Sequence, residues 1–141
     1  MRTLRYAGGL YALGLVLHTA DHVRRGLDVL TPEVSAAGYL SIGGGLLVLT
    51  LIVYGHRLAP IAALAYGLPA AIGTAASHLL PHWSSFSDAF PGAHGTGVTG
   101  ASWAVVLLEI AGHVALAGAG AACLRRDRVQ PTSGMRSLRL P

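Results

Sequence analysis

Residues 17–26 read LHTADHVRRG and close the first apolar run of the chain with His18, Asp21 and His22 spaced i, i+3 and i+4. On a helix that spacing is a single face. A second polar pair interrupts the last apolar run, WAVVLLEIAGHVALAG, where Glu109 and His113 are one turn apart. A carboxylate inside hydrocarbon costs several kcal/mol unless it is protonated, paired or metal-bound, so an acid here is a functional signal. His78 and His82 end the third run with the same spacing of four.

Imidazoles and carboxylates gathered from several helices are the donor set of a transition-metal site. Imidazole suits Zn, Cu and Fe, whereas carboxylates suit Fe and Mn, and helix bundles build such sites from inward-facing Glu and His. The leading expectation is a metal centre with His18, His22, Glu109 and His113 as core ligands. Asp21 and His78 are further ligands or groups that orient an imidazole, and Glu109 doubles as a candidate catalytic acid or base. The di-iron carboxylate pattern places Glu and His at i, i+3, and here the spacing is i, i+4, so the ligand types are set but the metal (Fe, Cu or Zn) is not.

The same residues support two other chemistries. His18 and His113 are candidate axial ligands of a haem b, held without covalent attachment because the chain has no Cys-x-x-Cys-His motif. The acids and histidines are also a candidate proton or cation relay. A plainer reading assigns His22, His82 and His94 to the headgroup region beside Arg24, Trp83 and Phe86, and pairs Asp21 with Arg24 or Arg25 along the helix. His82, His94 and Asp88 are peripheral in either case.

The elements that must position these residues are apolar. The 141 residues are 52% hydrophobic and 11% charged, with a mean hydropathy of +0.55, far from a soluble average. Four runs stand out, at about 4–24, 34–54, 58–80 and 98–124, and a span needs ~20 residues to cross ~30 Å of hydrocarbon. The first is the least apolar and spans only if His18 and its neighbours lie in the membrane or at its edge. Helices with no polar face have no surface to offer water, which argues against a soluble bundle. The expected fold is therefore an all-α integral membrane four-helix bundle over residues 1–128, followed by a disordered tail over 129–141.

Arginine placement gives the orientation. All ten basic residues are arginines, and with four spans eight of them (Arg2, Arg5, Arg57, Arg125, Arg126, Arg128, Arg136 and Arg139) share a side with both termini, against Arg24 and Arg25 on the other. Both termini are thus expected in the cytoplasm, in a bacterial inner membrane. The N-terminus has a signal-like charged start and apolar middle, but His18 spoils the small-residue cleavage site, so the segment is expected to be retained. Cys123 reads as a packed thiol. The arginines form no basic stripe with interleaved aromatics, so nucleic acid is not an expected partner.

Depth follows from the helical rise of ~1.5 Å per residue, counted from the last cytoplasmic arginine of each span. His18 and His113 come out at about 20 and 18 Å, Asp21 and Glu109 both at about 24 Å, His22 at about 26 Å and His78 at about 32 Å. The outer loop PHWSSFSDAFPGAHGTGVTG, bracketed by Pro81 and Pro91, is either a lid with His94 reaching inward or a plain interfacial loop. The expected function is a membrane metalloprotein with a site in the outer half of the bilayer, doing redox or hydrolytic chemistry on a membrane-soluble substrate. A quinone-linked or proton-relay electron-transfer subunit and a non-catalytic subunit of a larger complex or homo-oligomer are the alternatives.

Overall fold

The computed structural model describes residues 1–129, and apart from Val129 the expected tail lies outside the described residues. Helix α1 spans Arg2–Arg25, α2 Pro32–Val53, α3 Ala59–Leu79 and α4 Gly100–Val129, with a short 3-10 turn at Leu27–Val29. Each begins or ends where the local chemistry requires. Gly26, at φ 96°, turns the chain out of α1 in a conformation that favours glycine, and its N–H caps the Val23 carbonyl. Thr31 caps α2 by accepting the Val34 N–H at 3.1 Å, and Pro32 occupies the first helical position, where its missing N–H costs nothing.

Three of these helices, α2, α3 and α4 as far as Arg126, are long and apolar enough to cross a membrane. The sequence reading expected four. α1 has the length, but its ends carry Arg2, Arg5, Asp21, Arg24 and Arg25, and His18 and His22 lower its apolar character further.

α4 is the spine: α1 and α3 both pack along it, whereas α2 lies more lightly against α3 and α1. Glycine sets the closeness. A Cβ on Gly14 would come within 2.6 Å of the Glu109 Cα, and one on Gly112 within 2.6 Å of the Tyr11 Cα, so α1 and α4 meet backbone to backbone. The core between the helices holds Leu4, Tyr11, Leu15, Val48, Ile52 and Leu116. Outward-facing side chains such as Leu13, Val16, Leu40, Leu47 and Ile72 are apolar and more than half exposed, a surface that suits lipid.

Candidate metal centre

At the end of the bundle where α1 and α3 finish, three imidazoles converge. The rings of His18 and His22 are 4.5 Å apart, His18 and His78 4.8 Å, and His22 and His78 5.5 Å, centre to centre. One nitrogen from each lies within 4.8 Å of the others. His18 and His22 are neighbours because i, i+4 on α1 stacks them. His78 joins them from the last turn of α3, close to where that helix stops at Leu80.

Carboxylates fix two of the three rings. Glu109 of α4 accepts a hydrogen bond from Nδ1 of His18, and both side chains are buried. An ionised carboxylate can only accept, so Nδ1 donates; in the neutral ring that leaves the lone pair on Nε2. That Nε2 is buried and has no hydrogen-bond partner. Nδ1 of His78 lies 3.1 Å from the Asp88 carbonyl oxygen and 3.4 Å from its Oδ2. Both are acceptors, so Nδ1 of His78 is the donor, and in the neutral ring Nε2 is the nitrogen with a lone pair. Nδ1 of His22, 3.8 Å from Asp88 Oδ2, is buried without a hydrogen-bond partner.

Asp88 is held in turn by Arg25, which donates from Nη1 at 2.8 Å and from Nη2 at 2.6 Å in a two-pronged pair. Burial raises the Asp88 carboxyl, but the hydrogen bonds and charges of His78 and Arg25 outweigh it and hold the group well below the usual carboxylate range. The loop that carries Asp88 is folded onto the bundle. Trp83 Nε1 donates to the Ala76 carbonyl at 2.9 Å, the Phe90 N–H to the His78 carbonyl at 2.9 Å, and the Ser87 hydroxyl accepts from the backbone of Trp83 and Ser84. The Phe90 ring packs on His78 at 4.9 Å.

The expected ligand set is thus brought together in part. His18, His22 and His78 converge; Glu109 stands behind His18 rather than beside it. Asp21 points its Oδ1 to Arg24 at 2.9 Å, the pairing expected along the helix, and leaves Oδ2 buried without a partner. His113 belongs to a different cluster one turn further along α4. Its Nε2 lies 3.3 Å from the Tyr66 hydroxyl, which is 2.7 Å from the Tyr11 hydroxyl and donates to the Ser41 carbonyl at 2.8 Å. His82 and His94 are exposed. Arg25 builds the site although the sequence singles out only a candidate pairing with Asp21, and Asp88, expected at the periphery, is central to it. No local signal in the sequence marks the Arg25–Asp88 pair, because the burial of Arg25 is a tertiary property.

The geometry accommodates a metal ion. Bonds of ~2.05 Å in a tetrahedral site separate ligand atoms by about 3.4 Å, against nitrogens that here lie within 4.8 Å of one another. A histidine whose second nitrogen is bound to a carboxylate is the usual arrangement around such ions. α1 and α4 touch at Gly14 and Gly112, between His18 and His113, the two histidines expected as axial ligands of a haem. No protein-family model, curated protein or solved structure matches this chain.

Proposed function

We propose that this protein is a membrane-embedded metalloprotein whose ion is held by His18, His22 and His78. The observation that carries the reading is the buried, unpartnered Nε2 of His18, facing two further imidazoles while Glu109 holds the opposite nitrogen. Of the acids near the cluster, Glu109 pairs with His18 and Asp88 with Arg25, while Asp21 gives Oδ1 to Arg24 and keeps Oδ2 buried without a partner among the described residues. The ligands proposed are the three imidazoles, a set that suits zinc, copper or iron better than manganese.

α1 acts in this reading as the fourth span, its apolar middle exposing Leu13 and Val16 toward lipid and its two charged ends lying at the two surfaces. The arginine distribution supports an orientation with both termini in the cytoplasm and the histidine cluster toward the outer face, in the reading of a bacterial inner-membrane protein. Three protein ligands leave a coordination position for water or substrate, the arrangement of a catalytic rather than a closed structural site. A bound ion there would polarise a carbonyl or activate water, and the activity to assay is hydrolysis of a membrane-soluble substrate.

The test is metal content of the detergent-extracted protein before and after exposure to Zn(II) and Cu(I), beside His18→Ala, His78→Ala and His113→Ala. One ion per chain, lost in the first two variants and kept in the third, is the expected result. Wild-type protein that binds neither ion, or metal retained by His18→Ala, overturns the proposal.

A further inference from the structure

Arg25 ends α1 with its side chain at 0% exposure. A guanidinium removed from water is tolerated only where its donors are satisfied and its charge is matched. Arg25 meets both needs within the segment joining α3 to α4. Its two terminal nitrogens bind Asp88, Nε donates to the Thr96 carbonyl at 3.2 Å, and its plane lies over the Phe90 ring at 5.2 Å. The neighbouring Arg24 adds a bond to the Gly97 carbonyl at 2.8 Å, but its side chain is half exposed. The loop over residues 80–99 is therefore tied to α1 through one buried ion pair.

The acid of that pair is also the residue that faces Nδ1 of His78, by its carbonyl and by Oδ2. One residue thus serves two tasks, closing the loop through its carboxylate and meeting Nδ1 of a candidate ligand through its carbonyl and, at 3.4 Å, through Oδ2. We propose that the Arg25–Asp88 pair couples closure of this loop to ion binding at the three histidines, with Arg25 a positioning residue that never touches the ion. The inference rests on the metal-centre reading. An ion on Nε2 of His78 draws electron density from the ring and makes Nδ1–H a stronger donor to Asp88, so the occupied site favours the closed loop. Linkage makes the effect reciprocal: the factor by which closure tightens ion binding equals the factor by which the ion tightens closure. Removing a group that orients a metal-bound histidine typically weakens binding about 10–100-fold.

The experiment uses the full chain in detergent, with Co(II) as a coloured probe and backbone hydrogen exchange of residues 80–99 as the readout of closure. In wild type, Co(II) is expected to slow exchange across the loop about tenfold or more. Arg25→Gln and Asp88→Asn are expected to weaken Co(II) binding by a similar factor and to abolish the protection, while Arg24→Gln stays within about threefold of wild type. Arg25→Lys restores the charge without the two-pronged geometry and is expected to recover only part of the effect. Wild type that binds Co(II) with no change in loop exchange overturns the coupling and leaves the metal centre standing, and this arm holds even if Arg25→Gln fails to fold. Asp88→Asn binding Co(II) as tightly as wild type overturns it too. Wild type that binds none of Co(II), Zn(II) and Cu(I) removes the metal centre itself and the coupling with it.

Discussion

Gly14→Ala tests whether the histidine site depends on how closely two backbones approach. The added Cβ would sit 2.6 Å from the Glu109 Cα and 2.9 Å from its nitrogen, against the 3.4 Å where ordinary contact begins, a deficit of 0.8 Å. Both atoms are backbone, so α1 and α4 must separate by about that distance. A hydrogen bond of ~2.8 Å opened by the same amount reaches about 3.6 Å and is no longer a bond. His18 then loses the carboxylate that orients it, and ion affinity should fall about 10–100-fold, or about 1.4–2.8 kcal/mol. Overpacking should cost a further ~1–3 kcal/mol of folding stability. Gly9→Ala is the control, since a Cβ there meets nothing within 4 Å on the same helix. It reports the propensity gain of alanine over glycine, ~1 kcal/mol in favour of the helix. The assay is Zn(II) affinity by competition with a chelator, together with the thermal midpoint in detergent. Gly14→Ala binding zinc as tightly as Gly9→Ala would refute the reasoning.

Tyr66→Phe should remove the hydroxyl that bridges Tyr11, Ser41 and His113, destabilising the protein by about 1–3 kcal/mol through the partners left unpaired. Zinc affinity should change by less than about threefold, because the site and this network share no ligand; thermal melts and chelator competition on one preparation measure both. The Asp88 carboxyl lies below its ordinary range in the folded protein, so its contribution is complete above the ordinary carboxylate range near ~4 and is lost as pH falls below it. Loop cleavage by an acid-active protease should therefore rise below about pH 4 by more in wild type than in Asp88→Asn. Topology is checked in a Cys123→Ser background, where an impermeant maleimide added to intact cells should label Ser84→Cys and leave His56→Cys unlabelled. Labelling of both from one side would contradict the four-span arrangement.

The apolar runs foretold the helices closely. The run at about 34–54 is Pro32–Val53, and that at about 58–80 is Ala59–Leu79. The shared face of His18 and His22 was equally legible, because helical spacing is local. Depth counting served less well. It grouped His113 with His18 and put His78 about 12 Å further out, yet His78 packs against His18. Counting from an arginine assumes straight helices with a common origin, and α3 contains Pro69 and starts two residues after Arg57. Rotation about each helix axis is also invisible in a depth. α4 presents Glu109 to α1 at the Gly14 crossing, so the acid meets His18 and not its depth-mate Asp21. Asp88 lies in a loop with no period, and only the tertiary bond to Arg25 gives it a place.

The central position of α4 also has a consequence for biogenesis. α1 and α3 have little backbone contact with one another, and each is held chiefly by α4. His18, His22 and His78 all leave the ribosome before Gly100 does, yet the residue that aligns His18 and the surface that seats α3 arrive with the last helix. A nascent chain that stops short of α4 carries every ligand and no site. If the proposed metal centre holds, its ion is acquired only after the final helix has packed against α1 and α3.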